Sequence, residues 1–418
     1  MPFNPKDKAF YHKESLEQEE RRVYEICHGC RRCFNLCPSF NVLFDRMDAS
    51  GKEAEGLVQE DLNEVRDLCY ECKLCYNHCP YTPPHRWDID FPRMLLRAKA
   101  VKGKEEGISF ADRLFGNVDF LGTWASRFAF LFNPLTHLKL NRIFMEKILG
   151  VHRDRNLPLF HHERFSKWFR KRAAKKGIRK VAIFATCFVE YNDPEVGKAM
   201  VEVLERNGCE LLFPKQRCCG MPYLDGGDIA SAMKNIRTNS EALSQAVDAG
   251  YDIVIPGPTC SYMLKQEYPI FLPDDKTAKI SKHTFDVSEY LMKLQATGEL
   301  VLPKKGMKVK IAYHLPCHLK AQNIGYKSRD LLKQIPGAEV EVVERCSGHD
   351  GTWGMKKEYF NLSMEIGEKL FNELKASEPN MLATDCPLAS LQIEKGMGQK
   401  PLHPVQILKR AYEEDCAH

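Results

Sequence analysis

Eight cysteines fall into two runs of one spacing: Cys27, Cys30, Cys33 and Cys37 before Pro38, then Cys69, Cys72, Cys75 and Cys79 before Pro80. Both read C-x2-C-x2-C-x3-C-P. Three thiolates this close wrap three irons of one [4Fe-4S] cube, while the fourth, displaced by the turn before proline, reaches the neighbouring cube. The spacing therefore assigns Cys27, Cys30, Cys33 and Cys79 to one cluster and Cys69, Cys72, Cys75 and Cys37 to a second. Zinc motifs leave a longer gap between two C-x2-C pairs and do not require the triple run twice. His28 and His78 lie inside the runs, where a hydrogen bond or plain exposure suits them better than ligation.

Residues 20–100 read as a mostly helical ferredoxin-like module, because Leu62, Val65 and Leu68 between the two runs recur at helical spacing. Residues 101–177 read as an amphipathic helical connector, rich in Phe, Leu and Trp. Asp119, Arg127 and Pro134 interrupt it too soon for a membrane span. Its apolar stripes are expected to pack over the neighbouring domains. The alternative lays Phe115, Phe120, Trp124, Phe128 and Leu131 in a lipid interface, with Arg127, Lys139 and Arg142 near head groups. The basic stretch from 165 to 180 reads as a solvated helix face ahead of a strand.

From Arg179 the pattern turns to strand and helix in alternation, KVAIFATC, CELLFP and YDIVIPGPTC being the strands. The same order returns in VKIAYHLPC, AEVEVVERC and NMLATDC. The fold class is therefore α+β multidomain: the helical 2x[4Fe-4S] module, then two repeated α/β (βαβαβ, parallel sheet) cysteine-rich domains at 178–302 and 303–418. Cys187 matches Cys317, Cys218 matches Cys346 and Cys260 matches Cys386, at offsets of 130, 128 and 126 residues, so the two halves are copies. All three positions follow strands, where open parallel sheets place their ligands.

In the first copy Cys187, Cys218, Cys219 and Cys260 form a candidate third cluster site. Adjacent cysteines suit a turn around a metal better than an extended strand, whose successive side chains point to opposite faces. Gly220, Gly226 and Gly227 are expected to let the backbone approach it. The second copy offers Cys317, Cys346 and Cys386, with Ser347 where the first has Cys219. His314, His318 and His349 are candidates for a fourth ligand or a proton donor, His318 being the one carried forward, and three cysteines with a histidine would also suit zinc. Cys209 and Cys416 fall outside the pattern and read as ordinary thiols.

The rest of the composition narrows the partners. There are 17 cysteines and the net charge is only +5, without the basic stripe of a nucleic-acid binder. The N-terminal stretch has no apolar signal segment, so the chain is expected to stay in the cytoplasm, with the inner face of the cell membrane as a peripheral option. No G-x-G-x-x-G fingerprint follows a strand, which argues against flavin or nicotinamide chemistry on this chain itself.

These motifs resemble proteins that join a twin ferredoxin module to two cysteine-rich CCG domains, as in heterodisulfide reductase and the iron-sulfur subunits of glycolate oxidase. The strings CSGHDGTWGMKKEYF and TDCPLASLQIEKGMG, the closing HPVQILKRA and FADRLFGNVDFLGTW are most similar to the C-subunit family of anaerobic glycerol-3-phosphate dehydrogenases. The resemblance implies an electron relay from a partner flavin dehydrogenase, of glycerol-3-phosphate or 2-hydroxy acid type, toward quinone. The alternatives it leaves are a thiol-disulfide reductase, an iron-sulfur oxidoreductase of rubrerythrin-linked peroxide defence, and a scaffold with structural zinc in the repeats. Met263 and Ala389 stand where the wider group has one more cysteine, which weakens the disulfide chemistry.

Overall fold

Each cysteine run is stretched between two helices, which is how so few residues can wrap a cofactor and still belong to a packed unit. The structure, a computed structural model, describes residues 3–416 apart from the side chain of Cys416, so the reading of that thiol lies outside the described residues. Helix Lys13–Cys30 delivers the first run and ends at Arg31 in the left-handed region, with φ 52°. Cys37 caps helix Pro38–Ser50, whose first residue is proline, a position where the missing N–H costs nothing. Helix Gln59–Leu68 leads into the second run and helix Phe91–Glu105 closes the module. Val23, Tyr24, Phe40, Phe44, Val65 and Leu95 make its core.

The expected strands form two all-parallel sheets. In the first repeat β1 (Arg179–Ile183), β2 (Cys209–Leu212), β3 (Asp252–Ile255) and β4 (Thr284–Asp286) lie in the order β2-β1-β3-β4. In the second, β5 (Val309–His314), β6 (Ala338–Val343) and β7 (Met381–Thr384) lie in the order β6-β5-β7. Val181 pairs with Leu211 and Asp252, and Ile311 pairs with Val340 and Met381. The duplication thus holds in backbone register as well as in the cysteines. The counterpart of β4 in the second repeat is a single parallel bridge from Leu402 to Ala383 of β7, and three residues are too few for a periodicity to reveal β4 itself.

The two repeats are not separate cores. Val181, Leu204 and Leu291 of the first share one apolar cluster with Ile311, Leu331 and Leu408 of the second. The closing helix Pro404–Cys416 packs against helix Pro194–Arg206 of the first repeat. On the other side, Arg93 reaches Glu267 at 3.3 Å, where Glu267 is fully buried, and this ties the helical module to the first repeat.

The connector corrects an expectation. Its helices Phe110–Gly116, Val118–Arg127, Ala129–His137 and Lys139–Leu149 do not bury their aromatic stripe. Phe120, Trp124, Phe128, Phe130, Leu131 and Leu140 are exposed, and Phe115 is half-buried. The inward face is the small-residue one: Gly122, Ala125, Ser126 and Ala129 are buried. The reason is steric, since a Cβ at Gly122 would stand 2.5 Å from the Tyr191 ring. Arg142 is also turned inward, donating to the carbonyls of His152, Arg153 and Arg155, so it does not join Arg127 and Lys139 at the surface. No helix is long and apolar enough to cross a membrane among the described residues.

Glu20 in the first helix is 4% exposed, and burial, only partly offset by Arg66, pushes its carboxyl up to about 7 from 4.5. The folded chain holds a proton there that the unfolded chain has lost, so this group's stabilising share is complete below about pH 4.5 and disappears as pH rises through 7. Glu20→Gln is expected to be more stable than wild type by about 2–3 kcal/mol at pH 8 and by little at pH 4.5; urea midpoints of the two proteins across that range check it.

Candidate metal centres

The two helix-flanked runs bring their thiols together in crossed sets. The thiols that act on Cys27 are Cys33, Cys79 and Cys30, and those that act on Cys33 are Cys79, Cys30 and Cys37. Those that act on Cys75 are Cys72, Cys69, Cys37 and Cys33, and Cys37 also acts on Cys69 and Cys72. Burial first, and the neighbouring thiols after it, push Cys33 up to about 12, and burial pushes Cys37 up to about 11. Four such thiols ionise together only against a multivalent cation, which is what the irons of a cube supply. No three of these sulfurs lie within 4.8 Å of one another among the described residues. Tetrahedral zinc, with Zn–S near 2.3 Å, needs its thiolates about 3.8 Å apart, so the spread fits a cube better than one zinc ion. His28 pairs with Asp48 at 2.9 Å and His78 is exposed.

The second run is wedged between the repeats. Glu71 and Lys73, both in the left-handed region with φ 57° and 64°, are each 2% exposed and pair at 2.6 Å, while Lys99 reaches Glu71 at 3.3 Å and the Cys69 carbonyl at 2.7 Å. The Glu71 carbonyl accepts from His318 Nε2 at 3.0 Å, and Asn77 donates to the Ala321 carbonyl at 2.8 Å. Tyr70 Oη lies 3.5 Å from Cys346 Sγ, and Trp353 donates to the Asp67 carbonyl at 3.0 Å. Cys72 is among the charged neighbours of Cys317, so the second run and the second repeat's cysteines share one locality.

In the first repeat Cys187 opens helix Cys187–Tyr191 and Cys260 sits in helix Pro258–Tyr262, with Cys218 and Cys219 on the loop after β2. Side-chain contacts run in a chain, Cys187 to Cys218 to Cys219 to Cys260. The turn expected at CCG is present: Gly220 has φ +104°, and the backbone is pinned by Asn235 and Asn239 on the Cys218 carbonyl and by Tyr268 on that of Cys219. Asp119 of the connector accepts from the Cys218 N–H at 3.0 Å. A cavity of 430 Å³ opens beside Cys187 and Cys218, lined also by Arg164, Arg170 and Arg217. Gly226 and Gly227 do a different job from the one expected. They lie against Asp112 of the connector and the Lys99 carbonyl of the helical module, a Cβ at Gly227 coming within 2.4 Å of the latter, so they admit these two neighbours rather than a cluster.

In the second repeat Cys317, Cys346 and Cys386 line one pocket of 60 Å³ together with Tyr70 and Cys72. Gly348 N–H donates to Cys346 Sγ at 3.3 Å, and the Cys317 thiol donates to Asp350 at 3.3 Å. Burial pushes Cys386 up to about 12. Cys317, His318 and Asp350 bring one ligand atom each within 4.8 Å of the others. His318, however, with Thr259 at 2.9 Å on Nδ1 and the Glu71 carbonyl on Nε2, has both ring nitrogens engaged. His314 is engaged likewise, with Thr384 at 3.0 Å and the Arg345 carbonyl at 3.2 Å. Asp119, Tyr70 and Asp350 were not singled out by the sequence, because a lone acid or tyrosine carries no spacing signature. Cys209 is buried in β2 and away from every cysteine set.

Comparison with known proteins places these features. Residues 20–104 match the citrate utilization protein B Fer4-like domain, and residues 181–265 and 311–394 each match the cysteine-rich CCG domain. The chain is 32% identical over 395 residues to the C subunit of anaerobic glycerol-3-phosphate dehydrogenase from Escherichia coli (strain K12), covering 93% of this chain and 98% of that protein. It is 28% identical to the B subunit of fumarate reductase (CoM/CoB) from Methanothermobacter marburgensis over 56% of this chain and 47% of that one. It is 31% identical to lactate utilization protein A of Bacillus cytotoxicus over 50% and 87%.

Glu71→Gln keeps the shape of the wedge while leaving Lys73 and Lys99 buried without their counter-charge. The expected loss is about 3 kcal/mol of stability, read as a lowered urea midpoint, and an unchanged midpoint would show that the ion pairs do not hold the loop of the second run in place.

Proposed function

This chain belongs to the C-subunit family of anaerobic glycerol-3-phosphate dehydrogenases, and we propose that it takes electrons from a flavin dehydrogenase on partner subunits and passes them toward quinone. It is an iron-sulfur electron-transfer component of an oxidoreductase, with a helical Fer4-like region followed by two CCG domains. In this reading Cys27, Cys30, Cys33 and Cys79 hold one [4Fe-4S] cluster, Cys69, Cys72, Cys75 and Cys37 a second, and Cys187, Cys218, Cys219 and Cys260 a third. The domain limits are those read from the sequence, at 20–100, 101–177, 178–302 and 303–418.

The observation that carries the relay is the contact of Tyr70, inside the second run, with Cys346 of the second repeat at 3.5 Å. It supports a continuous path from the helical module into the repeats without any motion of one against the other. What the bound clusters supply is one-electron transfer; what the chain supplies is their spacing, and the exclusion of water from the second run by Glu71, Lys73 and the repeats. The organic substrate is oxidised elsewhere, on the flavin-bearing partner. The exposed aromatic face of the connector, with Arg127 and Lys139 beside it, suits a peripheral seat on an anionic membrane surface where quinone is found.

Anaerobically purified chain is expected to carry about twelve irons or more with matching sulfide, to show the paired signals of reduced [4Fe-4S] clusters, and to give no dye reduction with glycerol-3-phosphate on its own. Cys219→Ser should lower iron by about four. About eight irons, unchanged in that variant, would remove the third cluster, and dye reduction by the lone chain would end the relay reading. In flotation with vesicles containing anionic phospholipid, the double variant Phe120→Ser, Trp124→Ser is expected to lose most of the bound fraction; failure of the intact chain to float would end the membrane seat.

A further inference from the structure

We infer that the second repeat also holds a [4Fe-4S] cluster, through Cys317, Cys346, Cys386 and the imidazole of His349. The inference rests on the reading of the chain as an iron-sulfur relay, and it concerns a position where that reading assigns no complete ligand set. This copy has three cysteines, because Ser347 stands in the place of Cys219. A cube needs a fourth ligand, and three histidines are near.

Two of them are spent. His314 and His318 each have both ring nitrogens bonded within the protein. His349 is 5% exposed, lines the same pocket as the three cysteines, and neither of its ring nitrogens has a partner. Buried imidazole nitrogens are almost always satisfied, so an unpartnered one beside clustered thiols marks a group that the site has yet to receive. The ring is also held in place: a Cβ at Gly354 would lie 2.2 Å from His349 Cδ2, and one at Gly348, with φ +74°, would meet the Ser363 carbonyl at 2.0 Å.

The other acid at hand does not compete. Asp350 lies 3.3 Å from Cys317 Sγ, too close for two ligands on different corners of a cube. The sulfurs of Cys317, Cys346 and Cys386 are not gathered within 4.8 Å of one another, which suits a cube and not a single zinc ion. Exchange of a thiolate for a neutral imidazole raises a cluster's potential. The site beside Tyr70 is thereby the electron-accepting neighbour of the second N-terminal cluster.

The test uses the whole chain, purified anaerobically with 15N-histidine and poised so that only the highest-potential cluster is reduced. Pulsed EPR is expected to show a directly bound imidazole nitrogen that switches from the 14N to the 15N pattern. His349→Cys should keep the iron, lose that coupling and lower this cluster's midpoint, with the paired N-terminal signals untouched. Cys317→Ser should lose about four irons and leave the same paired signals. Absence of the coupling in wild type, its persistence in His349→Cys, or full iron in Cys317→Ser each overturns the assignment. Loss of the paired signals in wild type would instead overturn the relay reading beneath it.

Discussion

The second cysteine run is built around one buried carboxylate. Glu71 stands inside the second run with Lys73 and Lys99 against it, and removing such charges from water costs several kcal/mol per ion before their attraction returns it. Two cations share this anion, and further carboxylates stand close by, Glu267 acting on Lys73 and Asp225 on Lys99. Lys99 also contacts the carbonyl of Cys69, which places a positive charge beside the second run and favours thiolates there. The same residue offers its carbonyl to His318. The side chain of one residue thus fixes the loop within the helical module while its backbone binds that loop to the second repeat.

The two copies of the repeat have kept their backbone and diverged in what they enclose. Gly220 and Gly348 are both in the left-handed region at equivalent turns. Around the first, Cys187 and Cys218 face a cavity of 430 Å³ edged by arginines; around the second, three thiols line a pocket of 60 Å³ that Tyr70 and Cys72 of the N-terminal module enter and that the exposed Lys320, Glu344 and Arg345 edge. The first copy has room for something to arrive from solvent. The second is narrower and is shared with the helical module.

Much of this was legible beforehand because it is written in short spacings. The nearness of the two cysteine runs follows from their repeated spacing, and the strands of the two sheets follow from apolar runs that end at the cysteines. What could not be read depends on contacts distant in sequence. The three-residue β4, the small-residue face that turned Phe120 and Trp124 outward, and the roles of Gly226 and Gly227 against the connector and the helical module are all set by partners far along the chain. The choice among three histidines is of the same kind, since it turns on which ring nitrogens the fold has already used.

The burial of the second run is uneven along its own length. Cys69 and Cys75 lie in the apolar core of the helical module itself, while Cys72 between them stays partly exposed and lines the pocket of the second repeat. One short run therefore faces two surroundings, a dry interior behind it and the repeat's polar pocket in front, and the N-terminal module and the repeat meet at a thiol.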